Sequence, residues 1–279
     1  MVKKLFISGG CSFTLGNELS DDVDGKTPSR KSWAYRLYEQ TKYIGADVDF
    51  VSTATGGSGN SGIARRVFNA IKQGQNDIKH PIEAVVVMWS FKSRYDRAMP
   101  RNKNLEETRW ATISPWDATI GDKQRHNLLA GSEVQQYQWK RRQKIMQEVG
   151  VSPFAEAIYK HAANDYHETY LSWKSIIWLQ DVLEKHKIPF LFTLADNSLF
   201  YAELEHLRNQ DSLLEGLCSE IDFTKWFSFG ERNMGFNQWA TLNEYEKGTT
   251  HPLDDAHEDA VKLMLPQFIK LTGKNFHLK

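Results

Sequence analysis

Apolar and polar positions divide the chain into short unbroken apolar runs and longer stretches of helical period. Val2 to Ser8 carries Leu5, Phe6 and Ile7 in a row, and Ala84-Val85-Val86-Val87-Met88-Trp89 is apolar throughout and β-branched at its centre. Runs of this kind are what strands covered on both faces require. Pro189 to Leu194 repeats the pattern, while Asp47 to Ser52 alternates as a half-covered strand does. Elsewhere the period lengthens. Ser32 to Tyr43 places Trp33, Leu37 and Tyr38 on one face, and Ile63, Val67 and Ile71 recur four apart in a segment that Asn60 or Ser61 would cap. Thr169 to His186 and Asp255 to Leu271 predict two further helices. Strands alternating with helices predict an α/β fold, a three-layer α/β/α sandwich around a mostly parallel sheet.

One stretch breaks the rhythm. From about 92 to 165 the chain is polar, rich in Arg, Lys, Gln and Trp, and far longer than an ordinary connection. It predicts a large helical or irregular insertion within a single domain spanning 1–279. A helix is expected over Gln135 to Val149, with Arg141, Arg142 and Lys144 as its basic face. The insertion is either a solvated excursion or a cap that shapes a pocket, with Trp110, Trp116 and Trp139 overhanging it.

At 279 residues the chain can bury a substantial core. Its 35 basic and 35 acidic residues cancel, which argues against a nucleic-acid partner held through a broadly basic surface. The two cysteines, Cys11 and Cys218, make neither a disulfide framework nor a metal motif and fit a reducing compartment. Without a signal peptide or an apolar span, the expected location is the cytoplasm, with no membrane partner. Nothing in the sequence sets the oligomeric state.

Chemistry gathers at the two ends. Phe6-Ile7-Ser8-Gly9-Gly10-Cys11-Ser12-Phe13-Thr14 reads as strand, glycine turn and hydroxyl, which is how an α/β sheet presents a nucleophile at the carboxyl end of its first strand. Thr250-His251-Pro252-Leu253-Asp254-Asp255-Ala256-His257 precedes the closing helix. A serine hydroxyl needs a base to remove its proton during attack, and a histidine side chain is suited to that near neutral pH. Cys11 is a rival nucleophile, because a thiolate needs less activation, but its neighbouring position assigns it to packing. The Gly56 to Asn60 loop has neither a P-loop lysine nor the dinucleotide spacing. Asp254, Asp255, His251 and His257 match no metal-binding spacing, so no metal is expected.

Taken in order, these blocks resemble the SGNH/GDSL-type hydrolases, in the subset that begins Gly-Cys-Ser-Phe-Thr and occurs in bacterial and phage proteins. The blocks are Gly10-Cys11-Ser12-Phe13-Thr14, Gly56-Gly57-Ser58-Gly59-Asn60, the end of the Val85 to Trp89 run with Ser90, Arg94 and Asp96, and His251-Pro252 with His257. The resemblance implies Ser12 as nucleophile, His251 as base, and an oxyanion hole from the backbone N–H groups of Ser12 and Gly57. It implies no cofactor. Two departures stand out. The family's asparagine after the third strand is replaced by Met88-Trp89-Ser90, so Ser90 is expected to donate in its place. The family's aspartate three residues before the histidine is Gly248, leaving Glu246 or Asp254 to orient His251, or a Ser12–His251 dyad. An alternative register pairs Asp254 with His257 and makes His257 the base. Trp89, Arg94 and Asn60 are expected to line the substrate site. The expected activity is hydrolysis of a small ester such as an O-acetylated carbohydrate. The alternatives are a non-catalytic binding module and acyl transfer to a sugar hydroxyl.

Overall fold

A computed structural model describes residues 3–42, 47–76, 80–98, 110–118, 150–200 and 212–273. The first half contains β1 (Lys4–Gly9), α1 (Ser12–Leu15), α2 (Trp33–Lys42), β2 (Val48–Ser52), α3 (Asn60–Asn76) and β3 (Ile82–Trp89). A hairpin of β4 (Tyr95–Ala98) and β5 (Trp110–Ile113) follows, then α4 (Val151–His161), α5 (Asp165–Lys185) and β6 (Phe190–Leu194). The chain continues with α6 (Ser212–Ser219), α7 (Phe236–Leu242) and α8 (Asp254–Thr272).

Four strands form a wholly parallel sheet in the order β2-β1-β3-β6. Alternation of side chains across each strand feeds two separate cores. On β1, Phe6 faces one layer while Leu5 and Ile7 face the other. On β3, Ala84, Val86 and Met88 join Phe6, whereas Val85, Val87 and Trp89 join Ile7. The first layer is closed by α2, α7 and α8 through Trp33, Leu37, Phe236, Trp239, Met264 and Phe268. The second is closed by α3, α5 and α6 through Ile63, Val67, Ile71, Trp173, Leu179 and Leu214. Two covered faces are the physical reason the strand centres are long apolar runs. Each fully buried Ile or Val on α3 contributes about 1.5–3 kcal/mol over exposure, which fixes the helix against β1.

Inside the stretch expected as an insertion, β4 and β5 pair antiparallel, with Tyr95 opposite Ile113. Ile113 packs with Val151 and Ala155 of α4 in a small cluster of its own. Polar ties dock the hairpin onto the main layers. Arg65 of α3 donates Nε and Nη2 to Asp96 (3.1 and 2.8 Å), the Tyr95 hydroxyl donates to Glu168 (2.7 Å), and Lys92 pairs with Asp165 (2.6 Å). The helix expected over Gln135 to Val149, Trp139 and the Trp116 side chain lie outside the described residues. Among the described residues, no helix is long and apolar enough to cross a membrane.

Candidate active site

The carboxyl edge of the parallel sheet is where loops from β1, β2 and β3 meet. At the end of β1 the chain turns sharply into α1. Gly10 adopts φ +156°, and a Cβ there would collide with the Thr14 side chain, so only glycine makes this turn. The turn sends Cys11 into the first-layer core and leaves Ser12 as the first helical residue.

Ser12 Oγ lies 2.7 Å from His251 Nε2. The two residues come from opposite ends of the chain. His251 sits on a narrow loop held by hydrogen bonds from Gly248 N–H to the His251 carbonyl (2.9 Å) and from Leu253 N–H to the Glu246 carbonyl (3.0 Å). Phe13 packs edge-on against the imidazole, with ring centroids 4.7 Å apart. On the outer side of the ring, Nδ1 is 2.9 Å from Thr250 Oγ1 and 3.5 Å from Glu18 Oε2. Among the described residues, Glu18 is the only carboxylate within 4.0 Å of a His251 ring nitrogen.

Glu18 was not singled out in the sequence. It follows α1 in a turn where its φ is +69°, with its N–H given to Asp22 (2.9 Å). Its carboxylate accepts the backbone N–H groups of Thr250 (3.1 Å) and His251 (3.3 Å). Burial works to raise its titration. The His251 side chain and the two N–H donors outweigh burial and hold it below the usual glutamate range. At Gly248 a Cβ would collide with Glu18 Oε2, so the carboxylate occupies the space a side chain there would need. The available signal was Gly248 itself, which calls for a carboxylate from elsewhere.

Several expected site residues have other partners. Asp254 accepts from Ser20 N–H (3.0 Å), Ser20 Oγ (2.6 Å) and Lys31 Nζ (2.6 Å). Burial opposes its charge, but Lys31 and Ser20 prevail and hold it down at about 2. It fastens the loop that bears Glu18 to the start of α8 and does not face His251. The Glu246 carboxylate is not within 4.0 Å of a His251 ring nitrogen; it lines a cavity of about 250 Å³ with Glu18, Ser20 and Asp254.

His257, the alternative base, is fully enclosed. Its Nδ1 accepts Trp33 N–H (3.1 Å), and Phe236 packs on its ring at 4.8 Å. Burial foremost, then the positive fields of His251 and Arg36, push it down to about 3, against the opposing pull of Asp254 and the Pro252 backbone. It is a neutral core imidazole joining α2 to the His251 loop.

The second and third blocks differ from expectation in the same way. Asn60 is the first residue of α3, but its amide does not cap the helix or reach a substrate site. It grips Ser90 from both sides, accepting Ser90 N–H (2.8 Å) and donating to the Ser90 carbonyl and to Ser172 Oγ (both 3.1 Å). Ser90 is buried, and its hydroxyl accepts from Arg94 Nη1 at 2.8 Å. Trp89, expected at the substrate site, is wholly buried in the core against Phe192 (5.2 Å). Arg94 remains near the site: its guanidinium lies 4.5 Å over Phe91, which packs on Phe13 beside His251.

Gly57, at φ +75°, places its loop beside Thr112 of β5. Neither the Ser12 nor the Gly57 backbone N–H donates to any described residue. Among the described residues, no group of three or more His, Cys, Asp or Glu is placed to hold a metal.

No protein-family model and no curated protein matches the chain. Solved structures do resemble it in overall trace. One is the psychrotrophic esterase EstA from Pseudoalteromonas sp., with a TM-score of 0.45, 7% identity, and 97% of this chain and 100% of that one covered. TesA gives a TM-score of 0.46 at 8% identity, covering 96% and 99%. Axe2, an acetylxylan esterase from Geobacillus stearothermophilus, gives 0.41 at 10% identity, covering 100% and 97%. At this identity the likeness assigns no activity, which must be argued from the site.

Proposed function

We propose that the chain is a serine ester hydrolase of SGNH type acting on a small substrate, with O-acetylated carbohydrate as the preferred class. The observation that carries this reading is the 2.7 Å approach of Ser12 Oγ to His251 Nε2 at the carboxyl edge of the sheet. His251 takes the Ser12 proton as Oγ bonds to the ester carbonyl carbon. Charge developing on the carbonyl oxygen is met by the N–H groups of Ser12 and Gly57, and one such donor is worth about 10²–10³ in rate. The alcohol leaves with the proton held by His251. Water, activated by the same imidazole, then releases the acid and restores Ser12.

The hairpin supports a cap role for the insertion. Thr112 stands beside the Gly57 loop, and Trp110, two residues earlier on the same face of β5, is 44% exposed. Its ring, stacked by Arg65, suits a sugar face, and the Arg94 cation over Phe91 suits the polar groups of an ester.

A fluorophosphonate probe tests the assignment. Wild-type protein should be labelled at Ser12 and should hydrolyse aryl acetates. Ser12→Ala should lose both properties with its Tm almost unchanged, because the side chain makes no described hydrogen bond other than to His251. Labelling at Cys11, or equal hydrolysis by Ser12→Ala, overturns it.

A further inference from the structure

We propose that Glu18 is the positioning carboxylate of His251, filling from the α1 side the place that a side chain at 248 would fill, so that Glu18 and Gly248 are an obligate pair. This rests on reading Ser12 and His251 as nucleophile and base.

Geometry supports the pairing from four directions. A Cβ on Gly248 would collide with Glu18 Oε2 and lie 3.2 Å from Glu18 Cβ and Cδ, so the two positions compete for one volume. That volume borders the outer nitrogen of His251. Glu18 Oε2 is 3.5 Å from Nδ1, and the Thr250 hydroxyl stands beside both groups, 2.9 Å from Nδ1 and 3.5 Å from Glu18 Oε1. The carboxylate is also fixed to the loop it serves, through the N–H groups of Thr250 and His251. Finally, the backbone is held in an unfavourable conformation. Glutamate at φ +69° is retained by Asp22 accepting its N–H, and strain of this kind persists where surrounding structure over-determines it.

No bond forms or breaks at Glu18. With Nε2 accepting from Ser12, Nδ1 carries the ring hydrogen and presents it to Thr250 Oγ1 and the carboxylate beside it. The negative charge favours this tautomer. It also attracts the imidazolium created when Ser12 gives up its proton.

Glu18→Gln separates charge from shape, because its amide oxygen can still accept the Thr250 and His251 N–H groups. It should lower kcat on an aryl acetate by about 10²–10³-fold, with KM within about twofold and little change in Tm. The exchange variant Glu18→Gly with Gly248→Asp should then regain at least about tenfold over Glu18→Gly alone, since glycine accepts φ +69° and the aspartate enters the vacated space. Gly248→Asp in the presence of Glu18 should instead impair activity, by collision and like charge. A kcat for Glu18→Gln within about threefold of wild type overturns the proposal. So does a folded exchange variant no faster than Glu18→Gly.

Nitrogen-15 NMR of the His251 ring gives an answer independent of turnover. The Nδ1–H tautomer should dominate in wild type and become mixed in Glu18→Gln; identical spectra overturn the pairing. Absence of Ser12 labelling in wild type would instead remove the nucleophile assignment, and the NMR result would still decide the Glu18–His251 relation.

Discussion

Removing the Asn60 amide should cost stability and leave substrate affinity alone. The side chain is 2% exposed and makes three hydrogen bonds, two to the backbone of Ser90 and one to Ser172 of α5. Asn60→Ala leaves the Ser90 N–H and carbonyl without partners at the end of β3. Each orphaned buried group costs about 1–3 kcal/mol. The Ser172 hydroxyl can rotate to a carbonyl of its own helix, so two groups dominate and the total is about 2–6 kcal/mol. For a chain of this length, 1 kcal/mol shifts Tm by about 2 °C, which gives a fall of about 4–12 °C. Asn60→Asp should be nearly as damaging despite its shape. It keeps the bond from Ser90 N–H but turns a carboxylate oxygen toward the Ser90 carbonyl where an N–H donor stood. Calorimetry of the three proteins, with aryl acetate kinetics well below the transition, reads both quantities. A Tm change under about 2 °C in Asn60→Ala would refute the clamp. A raised KM with an unchanged Tm would return Asn60 to the substrate site.

His257 and Trp110 give two further expected outcomes. His257 titrates at about 3 in the folded chain against an ordinary 6.5, so the unfolded state takes the proton first. Stability should therefore fall as pH drops from about 6.5 toward 3, by up to about 1.4 kcal/mol per pH unit, and a pH series of Tm should be flatter for His257→Asn; equal slopes would refute the assignment. Trp110→Ala loses the stacking of Arg65, 4.3 Å above its ring, worth about 1 kcal/mol or less. It should lower Tm by about 2 °C at most while changing the ranking of acetylated sugars against aryl acetate, and an unchanged ranking would remove Trp110 from the pocket.

The sheet was legible because its physics is local to each strand. β1, β3 and β6 are covered on both faces, so their positions are mostly apolar, with Ser8 and Thr193 as buried exceptions, and the runs announce themselves. Helix α3 was legible because Ile63, Val67 and Ile71 share one buried face. The β4–β5 hairpin was not, since Tyr95-Asp96-Arg97-Ala98 is held by Asp96 to Arg65 and Tyr95 to Glu168, with little apolar face to reveal it. Four residues of α1 and seven of α7 are too few to display a helical period. Asn60 misled for a related reason. Its type and place suit a helix cap, and only the proximity of Ser90, 30 residues away, redirects the amide.

The site divides along the same line. Ser12 and His251 were readable because each lies at the end of an element that the sequence displays. Glu18 was not, because its partners Thr250 and His251 stand 232 and 233 residues away and nothing between them carries a shared pattern. A glycine where a carboxylate is expected has two opposite meanings, a lost function or a vacated space. Sequence cannot separate them, since both are written Gly248. Packing can. The volume beside Gly248 Cα is filled by the Glu18 carboxylate, which is held there by backbone donors and set in a strained turn. A position emptied by loss of function would have no reason to be refilled by a charged group at the cost of a left-handed glutamate. The glycine therefore reads as one half of a paired arrangement, and the search for its other half belongs in space, around the outer nitrogen of His251.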